Sequence, residues 1–118
     1  MTTVMDKKLR PILPTLKEKK RYIAFEAISN GKINKQEMTE AIRKSVLELI
    51  GQLGAAKAGI QLVIWNDKTQ KGIVRVGNDF DKMLVSAMML IKSINQNSIA
   101  IKTIISSGIL NKAEEVIN

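Results

Sequence analysis

The order of two alternating patterns along the chain constrains the fold more than any other feature of the sequence. Apolar side chains recur at every second position in four segments, which is typical of strands with one buried face. These segments cover residues 21–28, 60–65, 73–76 and 98–105. Over 35–53 and 80–94 the apolar side chains recur instead at helical spacing. The chain is therefore predicted to run strand, helix, strand, strand, helix, strand.

Residues that favour helix N-termini support these helices. Asn34 is followed three residues later by Glu37, the spacing of a capping box at the start of the first helix. The second helix is expected to be capped by Asn78 or Asp79, and a short C-terminal helix by Asn111.

The predicted order is that of an α+β protein with a ferredoxin-like, RRM-like split βαβ sandwich, βαββαβ, built on an antiparallel sheet. Two amphipathic helices would cover one sheet face, toward which Ile23 and Phe25 would point. The other face, with Tyr22, Glu26 and Arg75, is expected to be free to meet a partner.

Basic residues are concentrated at the start of the chain. The protein has 19 Lys and Arg against 11 Asp and Glu, a formal net charge of +8, and residues 1–21 contribute seven basic and two acidic residues. Pro11 and Pro14 favour an extended path between them, since proline fixes its own φ and disfavours helix at the preceding residue. We predict a basic N-terminal arm over 1–20 and a single folded domain over 21–118. Such a charge excess favours a polyanionic partner.

The sequence lacks the side chains on which most protein catalysis depends. It has no His and no Cys, which excludes a histidine base, a thiol nucleophile and the usual zinc sites. We found no phosphate-cradling or nucleophile motif, and the carboxylates are scattered. We therefore expect no catalytic residue and no metal or other cofactor bound by the protein. Without a signal-peptide pattern or an apolar run of membrane-spanning length, a soluble, cytoplasmic protein is expected.

The run from Lys17 to Tyr22 is the densest charge cluster, and it leads into the first predicted strand. Lys71 and Arg75 belong to the third strand, where an RNA-recognition motif would carry aromatic residues that stack on bases. Those positions are aliphatic here, and Phe25 and Phe80 are expected to face the core. Tyr22 and Trp65 are the remaining candidates for a single contact with a base, but a packing or interface role is expected for each. RNA would therefore be bound through its phosphates, with little reading of base sequence. A solvated basic run without a partner is the alternative interpretation.

The second predicted helix has more apolar positions than one buried face requires. Val85, Met89 and Leu90 extend the apolar stripe around the helix. We predict that these three residues contribute to an interface with another protein, with ordinary core packing as the alternative.

Several stretches of the sequence resemble the archaeal ribonuclease P protein component 2 family. Residues 13–25, Leu-Pro-Thr-Leu-Lys-Glu-Lys-Lys-Arg-Tyr-Ile-Ala-Phe, look like the start of that family. Residues 51–56, 71–75 and 107–108 are similar to the end of its first helix, its third strand and its last turn. Thr15 stands where the family has a second proline, and the chain lacks the basic helical tail of some relatives.

The resemblance implies a protein subunit of the ribonucleoprotein that removes the 5′ leader from precursor tRNA. In that enzyme the RNA carries the catalysis with bound magnesium, so no activity is expected from the protein alone. The implied partners are ribonuclease P RNA, precursor tRNA and protein component 3, a TIM-barrel-like subunit that can form a heterotetramer with two copies of component 2. Together with the basic clusters, the resemblance selects as RNA-contacting candidates Lys17, Lys19, Lys20, Arg21, Lys71 and Arg75.

Other functions stay open on the sequence. One is a different RNA-binding or ribonucleoprotein-assembly protein of the same fold, and another is a protein-interaction domain whose charge is incidental. An acylphosphatase-type hydrolase ranks last, because no phosphate-cradling loop with a positioned Arg and a water-orienting Asn can be placed.

Overall fold

The architecture comes from a computed structural model that describes residues 20–117. The strands form a five-stranded antiparallel sheet in the order β2, β3, β1, β5, β4. In chain order the elements are β1 Lys20–Ser29, α1 Lys35–Ala58, β2 Gln61–Asn66, β3 Lys71–Gly77, α2 Asp81–Met89, β4 Ser93–Ile94, β5 Asn97–Ser107 and α3 Leu110–Ile117. The predicted α+β, ferredoxin-like fold is confirmed, with β4 as an additional short strand. Apart from Lys20, the predicted N-terminal arm lies outside the described residues.

Strand β1 lies at the centre of the sheet, between β3 and β5. Ile23, Ala24 and Phe25 have no solvent-exposed surface. Ile23 and Phe25 belong to the main core beneath α1 and α2, whereas Ala24 belongs to a smaller core on the opposite face. The alternation along β1 therefore assigns the side chains to the correct faces, but both faces are buried.

Two sets of hydrogen bonds fix the position of α1. The predicted capping box is present: the backbone N–H of Glu37 donates to Asn34 Oδ1 at 2.8 Å, and that of Asn34 donates to Glu37 Oε1 at 3.0 Å. Further along, the buried Ser45 hydroxyl donates to the carbonyl oxygen of Ala87 at 2.5 Å, which joins α1 to α2.

Helix α1 is longer than the sequence predicts, because it continues to Ala58 instead of ending at residue 53. The helix is interrupted at Gly51, where φ is 74° and ψ is 178°. Glycine adopts this conformation without the steric strain that a Cβ would bring. The C-cap is Gly59, whose φ of 61° is typical of a helix-terminating glycine.

Helix α2 is shorter than the sequence predicts, since it ends at Met89 and not near residue 94. Ile91 and Ile94 are nevertheless buried in the main core, because the chain turns back through β4 into β5. Asn95 and Gln96 form this turn, with φ values of 53° and 69°, as in a two-residue hairpin loop. The apolar spacing therefore predicted burial correctly and helix length wrongly.

Two predicted helix caps are wrong. Asn78 and Asp79 belong to a 3-10 turn that precedes α2, which has no side-chain cap. Asn111 lies inside α3, which begins at Leu110. Asn and Asp satisfy backbone groups in turns as well as at helix starts, so their presence does not distinguish the two.

The second sheet face was predicted to be free, but the structure shows that α3 packs on it. Ala113 and Ile117 of α3 are 0% and 1% exposed and pack in the smaller core with Ala24 and Ile73. Tyr22 packs against the same cluster. Small side chains on β1 and α3 allow this close approach.

Trp65 packs on the core side of the sheet, in agreement with the packing role expected for it. A register shift between Leu62 and Ile64 interrupts the alternation of β2. The Trp65 ring then stacks on Phe25 with centroids 5.9 Å apart, and its Nε1 donates to the carbonyl oxygen of Ile33 at 3.0 Å. A Cβ on Gly72 would lie only 2.7 Å from the Trp65 ring, so this approach requires glycine.

We predict that Ala113→Glu lowers the free energy of unfolding by about 2 kcal/mol or more, because it places a carboxylate in the smaller core. Urea unfolding followed by circular dichroism measures the change. Lys112→Glu is the matched control, since Lys112 is exposed on the same helix. Equal stability of the two variants would contradict the packing of α3 on the sheet.

Candidate nucleic-acid interface

The antiparallel pairing brings the ends of three strands, β1, β3 and β5, together at one end of the sheet. Lys20 at the start of β1 lies opposite Gly77 at the end of β3, and Tyr22 lies opposite Ser107 at the end of β5. A shallow cavity of about 380 Å³ opens here. We call it the basic cleft; it is lined by Lys20, Arg21, Tyr22, Asn78 and Gly108.

Arg21 has long contacts within the described residues. Its Nη2 lies 3.5 Å from the carbonyl oxygen and 3.4 Å from the hydroxyl oxygen of Ser106, to which it donates. Its Nε is 3.9 Å from Asp81 Oδ2 and is buried without a hydrogen-bond partner there. A guanidinium has five N–H donors in a planar fork that matches phosphate geometry. Arg21 is therefore oriented at the cleft with donor capacity left for an anion.

Of the three lysines in the predicted basic run, the structure describes only Lys20. Lys20 is the first residue of β1, and its Nζ lies near the end of α1, 3.7 Å from the position that a Cβ on Gly59 would take. Lys17 and Lys19 lie outside the described residues. The run that dominates the sequence therefore enters the described domain through Lys20 and Arg21, at the basic cleft.

Arg75 lies near this end of the sheet but on the opposite sheet face from Arg21. It pairs with Tyr22 across β1 and β3, and its Nη2 donates to Gln61 Oε1. Its Nε is also buried without a partner in the described residues. The structure thus separates Arg21 and Arg75 by the thickness of the sheet, which sequence spacing does not reveal.

Lys71 is not brought together with the other candidates. It lies opposite Glu26, five strand positions from Arg21, which is roughly 16 Å along β1. Glu26 is also opposite Lys102 of β5. Directly opposed residues are neighbours on one sheet face, so Glu26 lies between two lysine positions in the sheet register. Lys102 was not among the RNA-binding residues predicted from the sequence, although it lies in the segment 98–105 that was predicted as a strand.

Asn78 and Gly108 are cleft residues that sequence reasoning missed as binding candidates. The sequence marks Asn78 only as a candidate helix cap and Gly108 only as a turn. Their proximity to Arg21 depends on the pairing of β1 with β3 and β5, for which a single sequence carries no direct signal.

The residues predicted to form a protein interface differ in exposure. Met89 and Leu90, at the end of α2, are each 59% exposed. Val85 is half-buried and packs against the main core. Leu49 and Leu53 are also exposed, on either side of the break in α1. Exposed apolar side chains therefore occur on both helices that cover the main core.

The described residues offer charge and hydrogen-bond donors more than catalytic groups. Across residues 20–117 no three acidic side chains are grouped so that they could hold a metal ion. No helix in the same range is long and apolar enough to cross a membrane. Tyr22 and Trp65, the two aromatic candidates for base stacking, both pack against core residues. The arrangement suits contact with phosphates through the side chains of the basic cleft, at the strand ends.

One protein family and individual proteins of known name match this chain over most of its length. The model of the Rpp14/Pop5 family matches residues 21–118. Ribonuclease P protein component 2 of Pyrococcus horikoshii is 39% identical over 108 residues, which are 92% of this chain and 90% of that protein. The protein of the same name from Methanocaldococcus jannaschii is 34% identical over 110 residues, 93% of this chain and 81% of that protein.

Among solved structures, a chain in the cryo-EM structure of yeast ribonuclease MRP has a similar fold. The TM-score is 0.61 at 11% sequence identity, over 78% of this chain and 76% of that chain. The resemblance inferred from the sequence is confirmed, since the family match begins at Arg21 and continues through the last residue of the chain. By its sequence along this whole length, the chain belongs to the Rpp14/Pop5 family.

Proposed function

We propose that the protein is a non-catalytic subunit of ribonuclease P that binds and stabilises the catalytic RNA, so that the RNA removes the 5′ leader from precursor tRNA. The observation that carries this proposal is the 39% identity to a ribonuclease P protein component 2 over nearly the full length of both chains. The family match over residues 21–118 covers all but the first residue of the described domain, and not only an element common to many RNA-binding folds.

The charge distribution supports contact with RNA. The chain has a formal net charge of +8, and Lys20 and Arg21 line the basic cleft. A phosphate in the cleft would accept hydrogen bonds from the Arg21 guanidinium, whose contacts to Ser106 are long. Release of counterions from the RNA would add to the affinity. Since Tyr22 and Trp65 pack against core residues, we expect recognition of backbone shape and charge with little base stacking.

The protein would act by neutralising phosphates that crowd together in the folded RNA. Such neutralisation lowers the requirement for magnesium, which we expect to be bound by the RNA and to serve its catalysis. Within the described residues no three carboxylates are grouped so that they could hold this ion. Its own residues would bind, orient and screen the RNA without contacting the scissile bond.

Protein component 3 is the proposed protein partner, in a heterotetramer that contains two copies of this chain. Met89 and Leu90 at the end of α2 would be buried in that contact, because adjacent exposed apolar side chains gain stability when a partner removes them from water. The basic cleft is formed by strand ends, so RNA and component 3 would bind at different surfaces.

Reconstitution tests the proposed function. We expect that precursor tRNA cleavage by the catalytic RNA of the same source, at limiting magnesium, requires this protein together with component 3. The control reaction contains the RNA with component 3 alone. Absence of stimulation, despite active RNA and a demonstrated protein complex, would reject the ribonuclease P role and favour a different RNA-binding or ribonucleoprotein-assembly function.

We predict that changing Lys19, Lys20 and Arg21 together to Gln raises the magnesium concentration needed for half-maximal cleavage. The slope of log affinity against log salt for the RNA should become shallower by about 2, as expected when up to three phosphate contacts are lost. A matched variant changes Lys32, Lys68 and Lys92 to Gln; these lysines are exposed and lie away from the basic cleft. Thermal unfolding of both variants separates lost binding from lost stability. If both variants give the same magnesium and salt curves, the cleft is not the RNA contact.

We further predict that Met89→Glu and Leu90→Glu each weaken binding to component 3, by roughly 30-fold if the side chain is a central contact. RNA binding by the isolated protein should stay within twofold, apart from a small charge effect. Isothermal titration calorimetry measures both. Ile28→Glu is the control, because Ile28 is 52% exposed and lies on a different element. An equal loss of affinity in the Ile28 variant would argue against an interface at the end of α2.

A further inference from the structure

A groove separate from the basic cleft and from the end of α2 lies between α1 and β2. Its volume is about 510 Å³. One wall is formed by Lys35, Thr39 and Arg43, which recur every four residues on α1, and the other by Ile60 and Gln61 at the start of β2. We call it the α1–β2 groove. Nothing in the proposed role of the protein requires it.

The floor of the groove is apolar. Ile42 and Val46 of α1 and Leu62 of β2 contribute to it. The break at Gly51 redirects the end of α1, and Ala55 and Ala56 beyond the break line the same groove. An occupant therefore needs apolar side chains to use this floor, because burying apolar surface against apolar surface is the main favourable contribution available there.

The rim is basic. Lys35 and Arg43 stand two helical turns apart, about 12 Å along α1, and the residues that line the groove include no carboxylate. The cations would stabilise acidic side chains of an occupant at this spacing. A segment that presents both acidic and apolar side chains to α1 matches both features.

The outer edge of β2 favours an extended occupant. β2 is the terminal strand of the sheet, and in the range 20–117 no strand pairs with its outer side. Such an edge presents backbone N–H and C=O groups that another chain can pair with. Side chains of an added strand point alternately to the two faces, so only every second residue would face α1 and the groove. Acidic residues at every fourth position would then all face α1, about 13 Å apart, with apolar residues facing the floor between them.

We propose that the α1–β2 groove binds an extended segment of a protein partner, in which the residues that face α1 are acidic and apolar in turn, by addition of a strand to β2. The apolar floor favours a protein over RNA, since a phosphate backbone leaves that floor unused. The chain's own first nineteen residues fit poorly, because they contain five basic and two acidic residues and would be repelled by Lys35 and Arg43.

The test uses the full-length protein and a fluorescein-labelled ten-residue peptide, Glu-Thr-Val-Thr-Glu-Thr-Val-Thr-Glu-Thr, in which Glu and Val alternate on one face and Thr occupies the other. Fluorescence anisotropy measures affinity, and amide chemical shifts in NMR spectra report where the peptide binds. We expect shifts at residues of the groove, and weaker binding of the same peptide with Lys in place of Glu. A version that is N-methylated at alternate residues, on the side that faces β2, should not bind, since it cannot donate backbone hydrogen bonds.

A charge-reversed variant provides the matched comparison. Lys35→Glu with Arg43→Glu should lower affinity for the Glu peptide by roughly tenfold or more and raise affinity for the Lys peptide. Lys32→Glu with Lys68→Glu changes net charge equally on exposed loops outside the groove and should alter affinity by less than about threefold.

Several results would overturn the proposal. Equal binding of the Glu and Lys peptides would contradict the charge argument, and full binding of the N-methylated peptide would contradict strand addition. Shifts in the groove on adding a ten-nucleotide RNA, without shifts on adding the Glu peptide, would assign the groove to nucleic acid. Shifts that depend on protein concentration alone would assign it to a second copy of the chain, and no response to any probe would mean that the groove binds none of them.

Discussion

The packing of β1 on both of its faces is the constraint on which the rest of the structure depends. Ile23 and Phe25 lie under α1 and α2, while Ala24 between them lies under α3. A shift of one residue in the pairing of β1 would move every side chain to the wrong face and would lose both cores at once. The same pairing determines where the charged residues lie: Lys20 and Arg21 begin β1, so they must lie where β3 and β5 end.

Coverage of both sheet faces decides how a partner can be recognised. In an RNA-recognition motif the open face presents aromatic residues for stacking on bases, but here α3 packs on that face and Tyr22 packs with it. Candidate binding surfaces are left at the margins of the sheet. They are the basic cleft at the strand ends, the exposed end of α2, and the α1–β2 groove at the edge strand. Each has a distinct chemistry, respectively cationic, apolar, and apolar with a cationic rim, which suits an assembly in which one small chain contacts several components.

Backbone irregularities create two of these surfaces. The positive φ of Gly51 redirects α1, so residues beyond the break line the α1–β2 groove. The early end of α2 and the turn at Asn95 and Gln96 keep Ile91 and Ile94 buried while Met89 and Leu90 point outward. The apolar residues near the end of α2 therefore fall into two groups. Ile91 and Ile94 are buried through the β4–β5 hairpin, whereas Met89 and Leu90 are exposed at the helix end.

The sequence by itself determined the order of elements, the capping box of α1, the two-faced pattern of β1 and the absence of histidine and cysteine chemistry. These properties depend on local spacing and composition, which a single chain displays directly. Only the tertiary structure decided that α3 covers the second face, that the bulge in β2 turns Trp65 toward Phe25, and that Arg21 and Arg75 lie on opposite faces of the sheet. Each of these outcomes depends on which distant residues pair across strands or pack between layers. Such pairings are selected by the burial of the whole set of apolar side chains, and no short segment contains that information.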